Sequence, residues 1–262
     1  MQAKTKELLY LLLWTGEMLY RPTFRNVTES FEGWAYRKGL LRQSERLERQ
    51  QLLEQTVTAS GDRLHRLTAM GRLQALGGRD PEACWKKRWD GRWRLVLFDV
   101  PEARSATRNR LRRYLQRRGF GYLQHSAWIT PHPVDKERAL LAELPAKVGS
   151  LLLLEAEPCA GESEAEIVAA AWDFGDLNRR YSTHQEILIR RPKNDIASEA
   201  DARNLSRWLG QERSAWQEAV CRDPLLPEAL LPEGYSGRNA WRDRQAVMVI
   251  AGEQMRNFNA NW

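Results

Sequence analysis

The stretch LVLFDVPE, residues 95–102, runs four apolar residues into one carboxylate, Asp99, and then turns at Pro101. A carboxylate at the end of a strand can hold a divalent metal, and two copies across a dimer axis could activate water for phosphodiester hydrolysis. Glu102 is the only second carboxylate close by, and no His or Lys stands where a general base is expected. The plainer role is structural. Asp99 would end the strand and accept backbone hydrogen bonds ahead of the proline turn, because Val100, preceding Pro101, is biased to extended geometry. Spacing favours this role, with a metal-dependent nuclease using Asp99 as the alternative.

Behind Asp99 stand Arg104, Arg108, Arg110, Arg112, Arg113, Arg117 and Arg118. Ala106, Leu111 and Leu115 give this segment a narrow buried stripe, so the arginines must cover most of the remaining circumference. Guanidinium groups so arranged could hold phosphate oxygens of nucleic acid or of an acyl-CoA. Alternatively they lie over apolar surface or pair with carboxylates of another subunit.

A second basic constellation lies near the N-terminus. Phe31, Trp34 and Ala35 give an i, i+3, i+4 face that stops at Gly39, and RQSERLERQQLLEQ follows, polar around Leu47. A buried helix, a turn at Gly and a polar Arg/Gln helix is the order of a helix-turn-helix. QTVTASGDRLHRLT then predicts two short strands around ASGD, which makes the helix-turn-helix winged. Residues 43–54 would read bases through Gln43, Arg46, Arg49 and Gln50, while Arg63 and Arg66 on the wing hairpin would hold phosphates. The competing reading is a helical bundle with a solvated face, since Glu45, Glu48 and Glu54 dilute the positive helix. Up to residue 77 there are 12 basic and 8 acidic side chains, which favours DNA.

These sites need elements to hold them. Leu8, Leu9, Leu11, Leu12 and Leu13 with Trp14 and Met18 predict an apolar first helix. From residue 93 the order is strand (WRLVLFDV), helix (104–118), two short strands (FGYLQ, SAWIT), helix (135–146) and strand (SLLLLEA). That order predicts a ferredoxin-like βαββαβ sandwich, its first and last strands central and its helices on one face. Beyond about residue 163 the chain is mostly helical, with one helix over 199–220. Pro224, Pro227 and Pro232 forbid a continuous helix over 221–237 and predict an ordered loop anchored by leucines. The fold class is therefore α+β multidomain. Residues 1–77 form a winged helix-turn-helix, 78–92 a linker carrying Trp85 and Trp89, 93–160 the ferredoxin-like domain and 161–262 a mainly helical C-terminal domain.

Composition agrees with a nucleic-acid partner. Across 262 residues, 41 Lys and Arg against 34 Asp and Glu leave a net charge of +7. No apolar run reaches membrane-span length and no signal peptide is evident, so a cytoplasmic protein is expected. Cys84, Cys159 and Cys221 are few and far apart, and His65, His125, His132 and His184 are scattered. Neither a disulfide framework nor a zinc site is expected, and no metal or cofactor is called for.

The run ALGGRDPEACWKKRWDGRWRLVLFDVPE, the Arg-rich RNRLRRYLQRRGFGYLQHSAWITP and the late RDPLLPEALLP resemble the PaaX-type transcriptional repressors, regulators of the phenylacetic acid catabolon. The resemblance spans nearly the whole chain. It implies a homodimer that binds a palindromic double-stranded DNA operator and is released by an aryl-acyl-CoA effector, phenylacetyl-CoA in the namesake group. The inducer of this chain does not follow from the resemblance. The middle block is also similar to the small CRISPR-adaptation nuclease subunit, through Asp99, Pro101, the arginine helix, Gln124, Ser126 and Trp128. That second likeness implies a metal ligand at Asp99, but a shared fold does not transfer activity, and the flanking domains match the repressors. A further alternative is a non-catalytic nucleic-acid-binding accessory subunit of a larger complex.

Overall fold

The structure is a computed structural model that describes residues 8–9, 12, 17–20, 43–57, 63–76, 78–101, 105–124, 127–134, 150–159 and 161–260. The face of Phe31, Trp34 and Ala35, the helix expected over 135–146, and Arg104 lie outside these residues. The chain divides into two compact units. One comprises Met1–Asp80, Tyr181–Gln217 and Gly237–Trp262, the other Pro81–Arg180 and Glu218–Ser236.

In the first unit, Leu8, Leu9 and Leu12 are helical and buried, and they share a core with Leu47, Leu52, Leu53, Leu67 and Ala75. Met18 does not continue that helix. It lies in β1, Glu17–Tyr20, paired antiparallel with β3, Arg63–Leu67, which also pairs with β2, Leu53–Val57. The sheet order is β1-β3-β2. Backbone pairing with a distant strand has overridden the local helical pattern at Met18.

The polar helix is also shorter than its composition suggests: it covers Ser44–Arg49, and Leu53 already belongs to β2. The amide of Gln51 donates to the carbonyl of Glu48 at 2.8 Å and that of Leu52 to the carbonyl of Leu47 at 2.9 Å, the paired bonds of a Schellman stop. Gln51 has φ +57°, the left-handed conformation that glycine usually supplies at this position. Thr68 then caps the Ala69–Ala75 helix by accepting from the amide of Gly71, while its hydroxyl donates to the carbonyl of Gln51. Gly71 cannot be larger, because a Cβ there would lie 2.0 Å from the carbonyl oxygen of Leu52.

In the second unit, β4 (Trp93–Asp99), β5 (Gly121–Gln124), β6 (Ala127–Thr130) and β7 (Ser150–Ala156) form one antiparallel sheet in the order β5-β6-β4-β7. The Ser105–Arg117 helix buries Leu111 and Leu115 against Val96, Phe98, Phe120 and Trp128 on one face. Ala106, expected in that stripe, is exposed. On the other face Trp93 and Ile129 pack with Val168, Ala171, Leu226 and Leu230, so the cover is not confined to one side. β4 is central, but β7 stands at an edge, where Leu152 and Leu154 are 54% and 45% exposed. An unbroken apolar run says that a strand is buried somewhere, not on how many sides.

Toward the C-terminus lie helices Glu164–Ala171, Phe174–Ile189, Glu199–Val220 and Gly237–Ala260. Ser163 and Glu166 form a capping box on the first of these. The proline-rich segment is an ordered loop with Leu225, Leu226 and Leu230 buried. Asp223 fixes it by accepting from the amide of Leu225, which has φ +52°, and from the hydroxyl of Tyr235.

Candidate nucleic-acid and ligand sites

The six-residue helix Ser44–Arg49 presents the candidate base-reading residues. Leu47 is fully buried in the core and fixes the helix rotation. Gln43 precedes the helix with helical dihedrals, Arg46 is half-buried, and Arg49 and Gln50 are exposed. Glu48 lies 3.2 Å from Nδ1 of His65, which ties the helix to β3. Arg49 donates to the carbonyl of Glu45 at 3.3 Å. Among the described residues neither Arg46 nor Arg49 forms an ion pair.

Arg63 and Arg66 lie in β3, the middle strand, with Arg66 exposed and in register between Glu17 of β1 and Glu54 of β2. Three residues apart on a strand, positions 63 and 66 fall on opposite faces, so one surface meets one of the two. The structure thus gathers Gln43, Arg46, Arg49 and Gln50 on one short element and separates position 63 from 66.

Asp99 is the exposed last residue of β4, opposite Ser150 of β7. Glu102 lies outside the described residues. Among the described residues no cluster of three or more His, Cys, Asp or Glu side chains could hold a metal.

At the other end of β4 is a strong ion pair that the sequence reading missed. Arg94, buried, donates from Nη1 to Oδ1 of Asp90 at 2.8 Å and to the carbonyl of Pro131, and from Nη2 to Oδ2 of Asp90. The hydrogen bonds from Arg94 hold the carboxyl of Asp90 down at about 2, against the opposing effect of burial. Its four-residue spacing is visible in WDGRWR, but nothing in the sequence marks Arg94 as buried.

Sequence reasoning also missed a cavity of about 400 Å³ in the second unit. Tyr122, Trp128 and Trp172 contribute aromatic surface to it, and Arg113, Arg117 and Arg222 contribute charge. Trp172 lies tight against the sheet because residue 121 is Gly: a Cβ there would come within 2.6 Å of its ring. The Trp172 indole donates to the carbonyl of Gly119 at 3.2 Å, and the rings of Tyr122 and Trp128 meet edge-on at 5.3 Å. Two carboxylates also line the space. Asp173 accepts from the amide of Asp176, and Asp176 pairs with Arg180 at 2.7 Å and Arg179 at 3.1 Å, which hold its carboxyl below the usual range. Arg113, Arg117 and Arg222 are exposed, and among the described residues they form no ion pair. The aromatic cluster next to the arginine helix was the available signal. Trp172 and Arg222 could not be joined to it without the fold.

The first unit contains a fully buried trio. Oε1 of Glu212 accepts from Nε of Arg244 at 2.6 Å and lies 2.9 Å from Nε2 of His184. The guanidinium of Arg244 stacks 4.5 Å from the ring centre of Trp216. Burial, aided by the charge of Arg244, lowers His184 to about 3, so the imidazole is neutral near pH 7. Burial raises the Glu212 carboxyl, opposed by Arg244. With both carboxylate and guanidinium sealed from water, the trio is a structural brace.

With this geometry in view, residues 86–168 match the family described as PaaX protein central Cas2-like domain, and residues 172–253 match the PaaX-like protein C-terminal domain. Over 164 residues, 58% of this chain, the sequence is 27% identical to the transcriptional repressor PaaX of Escherichia coli strain K12. The match spans about half of that protein, 49%. The chain is also similar in three dimensions to the uncharacterized protein Rv0674 from Mycobacterium tuberculosis, at 19% identity and a TM-score of 0.49, covering 85% of this chain and 84% of that one. No helix among the described residues is long and apolar enough to cross a membrane.

Proposed function

The chain belongs to the PaaX family, and from that premise we propose that it is a DNA-binding transcriptional repressor, acting in the cytoplasm as a homodimer and released from its operator by an acyl-CoA-type effector. The observation that carries the DNA-binding part is the Ser44–Arg49 helix. It holds Arg46 and Arg49, which form no ion pair among the described residues, beside exposed Gln50, and it runs through the Gln51 turn directly into the β2–β3 pair. A helix followed at once by an antiparallel pair, with β1 added to give β1-β3-β2, supports a winged helix-turn-helix in residues 1–77. The β5-β6-β4-β7 order supports a ferredoxin-like domain over 93–160. In a homodimer, two copies of the 44–49 helix would enter successive major grooves of a palindromic site.

The test is a fluorescence-anisotropy titration of the full chain against its own upstream DNA at several salt concentrations, with magnesium present in parallel samples. Tight, sequence-selective and salt-dependent binding is expected, with the DNA left intact. Arg46→Ala should weaken operator binding by about 1–3 kcal/mol while changing affinity for random DNA less. Equal losses on both DNAs would remove the base-reading role. Magnesium-dependent shortening of the DNA that disappears in Asp99→Asn would replace the repressor reading with a nuclease.

A further inference from the structure

The effector reading leaves open where an anionic organic ligand would sit. A ligand of this kind needs three things from a protein: a concave space, a flat apolar wall and uncompensated positive charge at the rim. The cavity between the sheet and the start of the Phe174–Ile189 helix has all three. Its volume, about 400 Å³, falls within the roughly 300–1,000 Å³ of small-molecule sites. Tyr122, 43% exposed, and Trp172, half-buried, offer ring surface to whatever enters. Arg113 and Arg117 stand four apart on one helix and so share a face, and Arg222 reaches the same space from the proline-rich loop. Of the two lining carboxylates, Asp176 is neutralised by Arg179 and Arg180, whereas Asp173 accepts from the amide of Asp176 and keeps its charge, one negative charge against three arginines.

We propose that this cavity is a binding site for an aryl anion, its ring against Tyr122, Trp128 and Trp172 and its negative charge on Arg113, Arg117 and Arg222. The role of this site in releasing DNA rests on the repressor reading above; the binding itself does not. An aryl carboxylate and an aryl-CoA thioester share this chemistry. They differ in what lies outside the cavity, where the nucleotide phosphates of the thioester would extend along the arginine helix.

The probe is 8-anilinonaphthalene-1-sulfonate, a flat apolar anion whose fluorescence rises in apolar surroundings, titrated into the full-length folded protein. One saturable site per chain is expected. Arg113→Gln with Arg117→Gln should weaken it about tenfold or more, since the anion then has two fewer charge-assisted hydrogen bonds. Tyr122→Leu should also weaken it, whereas Arg110→Gln, on the same helix but outside the cavity, should not. Displacement of the probe by benzoate would identify a carboxylate source, and displacement by benzoyl-CoA but not by benzoate or coenzyme A alone a thioester source. Absence of a saturable site, binding indifferent to the arginine pair, or displacement by neither aryl compound would overturn the assignment. Circular dichroism and operator affinity of each variant, measured without ligand, separate the two claims. Loss of the probe with operator binding intact concerns this site alone, and failure of the wild-type protein to bind operator concerns the repressor reading alone.

Discussion

Arginine does opposite work in the helices around Arg244 and on the Ser105–Arg117 helix. Arg244 is wholly buried, its Nε against Glu212 and its guanidinium over Trp216. Arg110, Arg113 and Arg117 are exposed and form no ion pair among the described residues. Burial makes a charge expensive unless it is matched, whereas an exposed charge is hydrated and needs no partner. The difference teaches that the arginine count, high everywhere in this chain, carries no functional message by itself. Arginines with a carboxylate already in place hold the fold; those without one are free to meet an outside anion.

Breaking the buried side should have the largest effect. Glu212→Ala leaves the Arg244 guanidinium in the core without its carboxylate, a loss of about 3–5 kcal/mol on the usual scale of a buried pair deprived of one partner. Urea denaturation checks this, and a loss below about 1 kcal/mol would mean that water or another group reaches Arg244. His184, in the same trio, sharpens the point through pH. Its pKa in the folded protein, about 3, lies below the ordinary 6.5, so the unfolded chain binds an extra proton as acid is added. The stability contributed by neutral His184 is fully present above pH 6.5 and falls by about 1.4 kcal/mol per pH unit from there toward pH 3. Glu212, raised by burial, titrates in the opposite sense, so the comparison to make is wild type against His184→Gln. The variant should lack the acid-side loss due to this imidazole.

How far this could be read from the sequence depends on what each feature requires. Strands β4 and β7 were legible because WRLVLFD and SLLLLEA admit little else, and the loop at Pro224, Pro227 and Pro232 because proline forbids the helix. Whether β7 was central or at an edge was not legible, since Leu151–Leu154 is apolar in either case. The stop of the polar helix at Arg49 was hidden as well, because Gln51 takes the left-handed turn without a glycine to announce it. Arg46 and Arg49 do lie on a helix as their setting suggested, and the expected strands around ASGD are present as β2 and β3, though positions 63 and 66 fall on opposite faces. The cavity needed residues 113–128, 171–177 and 222–224 together, and no local pattern joins segments so far apart.

Arg94 is an intermediate case and should show an intermediate effect. It is buried, but its partner Asp90 is about half exposed, so water can replace part of the interaction when the pair is broken. Asp90→Asn should therefore destabilise the second unit by about 1 kcal/mol, less than Glu212→Ala. Because Asp90 titrates near 2 in the folded protein instead of 3.8, its contribution is present above about pH 4 and disappears as pH falls toward 2. A melting temperature that declines in the same way over this acid window in wild type and Asp90→Asn would show that the pair adds nothing to stability.

The smallest effect should come from the exposed side. Arg110 lies on the same helix as Leu111, which is buried, but its own side chain is in solvent and has no ion-pair partner among the described residues. Arg110→Ala removes a charge from a helix dense in like charge and replaces a good helix former with the best one, so stability should change by no more than about 0.5 kcal/mol. If thermal denaturation instead shows a loss above about 1 kcal/mol, Arg110 has a partner that its exposure conceals and belongs with Arg94 and Arg244. If stability is unchanged while affinity for DNA falls and its dependence on salt becomes shallower, the charge was being held for a phosphate outside the protein, because a variant that neutralises one phosphate fewer releases about one counterion fewer on binding.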